Sequence, residues 1–455
     1  MRKLRPALLG MACLAVPLIL AGVPELPHLT FTDQKLDNGL RVIIAEDHTA
    51  PVFGIAVTYN VGSRNERPGR TGFAHLFEHM MFEGSENVGK GEHFILVLNN
   101  GGNMNGTTTE DRTNYFEALP KNQLDLALFL ESDRMRALAV NQSNLDNQRN
   151  AVQEERRLRL DNQPYGHAFL DISNLAYDNF AYKHSVIGEM ADLNAASLGD
   201  VKDFFRIYYA PNNAVLTLVG DLDTADALAH VKKYFGAIPS QPTPPPPDMT
   251  EPPHYGTRTE TIEDPLARTP LIFLAWHVPA GNTPDNYAMQ VVTDVLSTGQ
   301  SSRLYQDLVK DKQLATQVFG WTDQRRGPSL AYVAAFVRPG VKPEDCQKEI
   351  VAEIGKLAAE GVTAQELEKV RMQNLRQAIQ QRQTDLNTAM QMGEYAVFFN
   401  DPDLINTMVD KYNAVTADQA KAAAAKYLVP AELTEITDLP AQKSGPAHTG
   451  NKEGR

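Results

Sequence analysis

Two histidines and a glutamate early in the chain have the spacing of a metal site. His75 and His79 are four residues apart, and Glu78 directly precedes the second histidine. An α-helix turns by about 100° per residue, so side chains four positions apart project from nearly the same face. The H-x-x-E-H order reverses the H-E-x-x-H zinc signature and supplies the same chemical groups. The segment therefore predicts a helix that binds zinc through His75 and His79.

Zinc would give this segment hydrolytic chemistry. The metal binds neutral imidazole nitrogens, takes one further protein ligand and leaves an open position for water. It lowers the pKa of that water to about 7, and a nearby carboxylate such as Glu78 can accept the proton during attack on a carbonyl. The alternative is that two unrelated histidines lie on a helix surface, and the glutamate between them weighs against it.

The helix predicted to carry these residues spans residues 71–82. Strand-like segments precede it, and the Asn38-Gly39 pair between two of them indicates a hairpin. Apolar residues elsewhere in the helix would bury it and leave the histidines at the mouth of a cleft: Leu76, Phe77, Met80 and Met81.

Composition places the chain among soluble globular proteins. It has 455 residues, of which 42% are apolar and 22% are charged, and this length favours two or three domains. The formal net charge of −13 would repel phosphate groups. We therefore expect no nucleic-acid partner.

Residues 1–24 have the pattern of a secretory signal. Positive residues at positions 2, 3 and 5 are followed by an apolar stretch from 7 to 21 that is short for a membrane span. We expect a periplasmic mature protein with no membrane span after removal of the signal. The alternative is a retained amino-terminal anchor.

Strand and helix patterns occur in the same order in the two halves of the chain. The Pro-rich segment 241–257 separates residues 25–240 from residues 258–440, and residues 441–455 have the composition of a disordered tail. Because proline cannot join a helix interior or a central strand, this segment predicts a stiff linker. The half that contains the H-x-x-E-H helix would be catalytic, and the other would repeat its architecture.

The repeat carries no second metal site. When the predicted helix 286–298 is aligned with the H-x-x-E-H helix, Met289, Val292 and Thr293 occupy the positions of the first histidine, the glutamate and the second histidine. None of these side chains is a zinc ligand. The second half therefore predicts the same scaffold without the metal.

The chain resembles the pitrilysin (insulinase)-type zinc metallopeptidases, and within them the two-subunit branch of mitochondrial processing peptidase. The resemblance implies an α+β fold of two homologous domains, each an antiparallel sheet covered by helices, joined by the Pro-rich linker. In the second half it rests mainly on the order of strands and helices. Four segments of the first half carry it, in the family's order: Tyr59–Glu66, His75–Gly84, Asn150–Arg157 and Tyr208–Ala214.

The resemblance also implies roles for the site residues. His75, His79 and a glutamate further along the chain ligate zinc, and Glu78 is the general base. The sequence alone leaves Glu154 and Glu155 nearly tied for the third ligand, whereas alignment of the third segment selects Glu155. We expect one zinc ion per chain as the cofactor.

Gln148 stands where the family commonly has an acidic residue that supports a metal ligand. A neutral amide polarises its neighbour less than a carboxylate does. This departure predicts weaker support around the metal.

The family binds substrate peptides as an added strand at the edge of the first sheet. The matching segment is 102–108, in which we expect Asn103, Asn105, Gly106 and Thr107 to contact substrate. Main-chain hydrogen bonds would give affinity without a strict sequence preference. The alternative is an ordinary turn-rich strand.

The leading hypothesis is an exported zinc-dependent endopeptidase that hydrolyses peptides or unfolded polypeptides by zinc-activated water. A second hypothesis is a weakly active or non-catalytic peptide-binding subunit of a heteromeric peptidase complex. The intact set of ligands and base weighs against it. A third is an unrelated metal-dependent esterase or amidase, because zinc–water chemistry is general.

The resemblance further implies a partner subunit. Self-sufficient members of the family carry an arginine and a tyrosine in the non-catalytic half that reach the substrate and the developing oxyanion. In the corresponding segment, 308–316, Val309 and Thr316 occupy those positions. Arg303 and Tyr305 are nearby but have the wrong spacing, so we expect them to be structural. A homologous subunit without the zinc site would then supply the Arg/Tyr pair.

Overall fold

The computed structural model describes residues 26–253 and 255–441, and within them the chain forms two sheets surrounded by helices. This architecture agrees with the predicted α+β class. The predicted signal segment 1–24 and residues 442–455 of the predicted tail lie outside the described residues. The described part of segment 241–257 contains no helix or strand. Across the described ranges, no helix is both long and apolar enough to span a bilayer.

The first sheet has six strands in the order β1-β2-β6-β3-β5-β4. Neighbouring strands are antiparallel except β2 and β6, which run parallel. β4 therefore lies at one edge, where it pairs with β5 alone. The strands are β1 (Thr32–Lys35), β2 (Arg41–Glu46), β3 (Val52–Tyr59), β4 (Asn103–Thr108), β5 (Thr113–Pro120) and β6 (Ala214–Gly220).

The second sheet repeats the last five positions of that order as β7-β11-β8-β10-β9. Its one parallel pair is β7 and β11. Each sheet thus has one parallel pair. The last strand of each half, β6 or β11, returns through helices and inserts beside β2 or β7. The strands are β7 (Arg258–Asp264), β8 (Leu271–Val278), β9 (Ala315–Thr322), β10 (Ser329–Val337) and β11 (Thr434–Pro440).

Helices connect the strands in both halves. Those of the first half are α1 (Phe73–Met80), α2 (Glu92–Asn99), α3 (Leu124–Ala137), α4 (Gln142–Arg156), α5 (Gly166–Ala176), α6 (Phe180–Lys183), α7 (Met190–Ala195), α8 (Leu198–Tyr208) and α9 (Thr224–Phe235). Those of the second half are α10 (Pro284–Ser297), α11 (Pro343–Glu360), α12 (Ala364–Gln381), α13 (Asp385–Phe399), α14 (Leu404–Asn413) and α15 (Ala417–Tyr427).

Strand β3 shows how the first sheet is buried on both faces. Successive side chains of a strand point to opposite faces, and Phe53, Ile55 and Val57 enter the core beneath α1 and α3. The alternate residue Ala56 contacts the opposite cluster. A strand buried on both faces needs a second layer of helix, and this layer comes from the other half of the chain.

The two halves exchange one helix each. The α13 residues Ala389, Met392 and Ala396 pack on the free face of the first sheet. In return, the α5 residues Ala168 and Ile172 pack on the second sheet. Each sheet is therefore completed by a helix that lies in the opposite half of the sequence.

The contact of α13 with the first sheet predicts sensitivity at Gly54. An added Cβ there would lie 2.4 Å from the Leu386 Cα, so Gly54→Ala must push the helix away from β3. We expect a destabilisation of about 1–3 kcal/mol, seen as a lower Tm in thermal unfolding. Gly355→Ala is the control, because that position in α11 has no neighbour within 4 Å and alanine is the better helix former. An unchanged Tm for Gly54→Ala would contradict the close packing.

Candidate metal centre

Helix α1 begins at Phe73, and a buried carboxylate caps it. The N-cap residue Gly72 has φ +81° and no side chain that could accept a capping hydrogen bond. The Glu66 carboxylate takes that role, accepting hydrogen bonds from the backbone N–H groups of Gly72 at 2.9 Å and Ala74 at 2.8 Å. His184 Nε2 lies 2.9 Å from the same carboxylate. A negative charge at the positive end of the helix dipole stabilises the helix start and fixes its position.

The side chains of α1 and the last turn of α4 converge. His75 Nε2 lies 3.5 Å and His79 Nε2 lies 3.1 Å from Glu155 Oε2. One potential ligand atom from each residue lies within 4.8 Å of the others. In the described part of the chain, no other three His, Cys, Asp or Glu side chains converge in this way. Two imidazoles and a carboxylate at these separations fit a zinc ion with an open coordination position.

The charges of the three groups also fit a metal. Burial, with the neighbouring His79, lowers the pKa of His75 to about 4, so its imidazole is neutral at pH 7. The hydrogen bond with His79 lowers the pKa of Glu155 despite partial burial. Burial opposes protonation of His79, but the attraction of Glu155 outweighs it and raises the pKa. Zinc would therefore meet one neutral imidazole and one carboxylate, and would compete with protons for the His79 imidazole.

Gln148 supports His79 from the side away from the metal position. His79 Nδ1 donates to Gln148 Oε1 at 3.3 Å, which leaves Nε2 as the ring nitrogen that faces Glu155 and the candidate metal position. The Gln148 amide then donates to Glu83 Oε1 at 2.5 Å, and Lys90 pairs with Glu83 at 2.6 Å. The network thus contains a carboxylate, but it belongs to Glu83 and reaches His79 only through Gln148.

Glu78 lies beside the three ligands and is half-buried. Burial raises the pKa of its carboxyl, and the hydrogen bond from Thr108 Oγ1 opposes that rise. The separation of Thr108 Oγ1 and Glu78 Oε2 is 2.6 Å. A carboxylate whose pKa is raised toward neutrality is suited to exchange protons with water.

The site opens into a cleft of about 770 Å³. The predicted substrate residues Asn105, Gly106 and Thr107 line this cleft along the edge strand β4. Asn103 begins the strand and is exposed outside the lining. The expected substrate edge is therefore an edge of the sheet, and residues 105–108 border the candidate metal ligands.

Three neighbours of the site were not predicted from the sequence. Arg159 pairs with Glu155 Oε1 at 2.8 Å, and its position four residues after Glu155 on a helical turn could have indicated it. Glu83 and Thr108 lie in the predicted segments 75–84 and 102–108, but their contacts with Gln148 and Glu78 arise from tertiary packing that no local pattern marks.

The corresponding cleft of the second half shows that the predicted alignment is wrong by one residue. Met289 and Val292 are fully buried in the second core. The α10 residues that line the second cleft are Gln290, Thr293 and Asp294. A helix has one apolar face, and the alignment placed that face in the cleft. Among the described residues of the second half, no three His, Cys, Asp or Glu side chains converge.

Two family models match the chain in the order of its two halves. Residues 41–189 match the model described as Insulinase (Peptidase family M16), and residues 195–374 match Peptidase M16 inactive domain. The zinc protease PqqE of Helicobacter pylori is 33% identical over 365 residues, covering 80% of this chain and 82% of that protein. The chain therefore belongs to peptidase family M16.

Further relatives share the fold or part of it. The crystal structure of a protease from Helicobacter pylori matches with TM-score 0.86 and 31% identity over 90% of this chain and all of that one. The first half of the periplasmic protease PqqL from Escherichia coli matches with TM-score 0.72 and 19% identity, over 92% and 93% of the two chains. The mitochondrial-processing peptidase subunit beta of Saccharomyces cerevisiae is 23% identical over 47% of this chain and 46% of that protein.

The two adjacent glutamates differ in orientation, which predicts different effects on zinc binding. Glu155 faces both histidines, whereas Glu154 points outward, is 56% exposed and pairs with Arg157. We expect Glu155→Gln to lower zinc affinity by more than about tenfold, since it replaces an anionic ligand. Glu154→Gln, measured in parallel by elemental analysis after dialysis against a chelator, should keep wild-type zinc. Equal loss in both variants would remove Glu155 from the ligand set.

Proposed function

We propose that this protein is a zinc-dependent endopeptidase that hydrolyses peptides or unfolded polypeptides. The observation that carries the proposal is the convergence of His75, His79 and Glu155 beside Glu78, at a cleft bordered by the edge strand β4. The relatives named zinc proteases support zinc as the metal and a peptide bond as the target.

The side chains of this site have separate tasks in that reaction. His75, His79 and Glu155 would hold the zinc ion. Bound zinc supplies a Lewis acid that activates water and polarises a carbonyl. Glu78 accepts the proton of the attacking water and can return it to the leaving amine, a task that its raised pKa favours. The outer edge of β4 pairs with the substrate main chain, which gives affinity for many sequences.

Replacing the base tests the reaction directly. In Glu78→Gln the amide cannot accept the water proton, while both histidines and Glu155 stay in place. We expect loss of peptidase activity by a factor on the order of 10²–10⁴, with unchanged zinc content and Tm. Turnover of a quenched fluorescent peptide measures the first quantity. Substantial turnover by the variant would exclude Glu78 as the base.

A non-catalytic peptide-binding subunit is the second candidate, and one observation favours it. The model that matches residues 195–374 describes an inactive domain, and the cleft there is lined by Gln290, Thr293 and Asp294. Against this candidate, the first half retains the three proposed ligands and the proposed base Glu78. Absence of peptide cleavage by the zinc-loaded wild type, alone and with homologous subunits, would favour this candidate.

The periplasm is the proposed location. The charged and apolar pattern of residues 1–24 supports export, and the relative PqqL is described as a periplasmic protease. Detection of the full-length protein in the cytosolic fraction alone would contradict this proposal.

A homologous partner subunit is proposed because neither the arginine nor the tyrosine is present at the expected positions 309 and 316. Val309 packs against the second core, and Thr316 Oγ1 donates to the Phe336 carbonyl at 3.2 Å. Arg303 is bound to Glu366 at 2.6 Å, so it is held within the second half. The similarity to a protein named as a subunit of mitochondrial-processing peptidase supports an arrangement of two chains.

The partner proposal predicts low activity of the isolated chain. A missing oxyanion donor costs a factor of about 10²–10³ in turnover. We expect co-expression with a homologue that lacks H-x-x-E-H but carries the Arg/Tyr pair to restore activity by that factor. The same complex made with Glu78→Gln is the control and should be inactive. Full activity of the purified chain as a monomer or homodimer would refute the requirement.

A further inference from the structure

The edge strand β4 contacts the proposed base as well as the cleft. Thr108 Oγ1 donates to Glu78 Oε2 at 2.6 Å, a short hydrogen bond to a charged acceptor. A hydroxyl at this distance fixes one carboxylate oxygen, which leaves the other oxygen to exchange protons. Glu78 therefore does not rely on α1 alone for its orientation.

A second residue of β4 shapes the same contact. Gly106 lies two positions before Thr108, so both face the same side of the strand. An added Cβ at Gly106 would lie 2.9 Å from Glu78 Cγ, closer than two non-bonded carbon atoms normally approach. The bare backbone of Gly106 gives the Glu78 side chain room, and the hydroxyl of Thr108 holds its tip.

The end of β4 is itself anchored to the second half. Arg112 Nη1 donates to the Thr107 carbonyl at 2.9 Å and to Thr107 Oγ1 at 2.7 Å. Arg112 Nε donates to Glu394 Oε2 on α13 at 3.1 Å. A strand end held from two directions gives Thr108 a fixed position against Glu78.

We propose that Thr108 is a positioning residue for Glu78, and that β4 thereby aligns the base with the bound substrate. This inference rests on the proposed peptidase function. The outer edge of β4 would fix the substrate carbonyl, while its inner face fixes the carboxylate that serves the attacking water. A small misplacement of a reacting group lowers turnover without weakening substrate binding, because the binding contacts stay intact.

The test compares Thr108→Val, which removes the hydroxyl at constant shape, with Thr108→Ser, which keeps it. We expect Thr108→Val to lower kcat for a quenched peptide about 10- to 100-fold, with KM within about twofold and zinc content unchanged. Thr108→Ser should restore kcat to within about fivefold of wild type. Thr224→Val is the matched control, since Thr224 Oγ1 makes the same 2.6 Å bond to the Glu46 carboxylate outside the cleft.

The outcomes separate this inference from the proposed function. Wild-type kcat in Thr108→Val, a change confined to KM, or failure of Thr108→Ser to restore kcat would overturn the role of Thr108, while inactivity of Glu78→Gln would still support the peptidase. If the wild type does not cleave peptides, either alone or with homologous subunits, the proposed function fails. Crystal structures of the zinc-loaded wild type and Thr108→Val then decide: an undisplaced Glu78 carboxylate in the variant overturns the inference, and a displaced one supports it.

Discussion

The site depends on the capping of α1 by Glu66. Two histidines on one helix form a metal site only when that helix is fixed against a third ligand on another element. The buried carboxylate of Glu66 holds the first turn of α1 through two backbone N–H groups, in place of the side-chain cap that Gly72 cannot provide. With α1 fixed at its start, His75 and His79 meet Glu155 on α4.

The exchange of α5 and α13 explains why a half without metal ligands contributes to the site. The first sheet is buried on both faces, so it needs α13 from the second half to exclude water. That helix also carries Glu394, which binds Arg112 at the end of β4. The second half is in this way part of the support for the edge strand.

The two clefts share an arrangement of edge strand and helix, but they differ in the side chains that line them. In the first half an edge-strand threonine holds Glu78, and in the second half the edge-strand residue Thr322 lies 3.1 Å from Thr293 in the related position. The backbone arrangement is shared, whereas the side chains on the helix face differ. Function therefore belongs to a few positions on the helix and not to the fold.

The sequence by itself determined the local elements and which side chains they bring together. Helical spacing placed the two histidines and Glu78 together, and the Asn38-Gly39 hairpin joins β1 and β2. These features depend on contacts within a few residues, which periodicity and turn chemistry record. The tertiary structure decided the parallel strand pairs, the orientation of Glu155 relative to Glu154, and the contact of Thr108 with Glu78. Each of these joins segments far apart in the chain, and local sequence patterns carry no information about which distant surfaces meet.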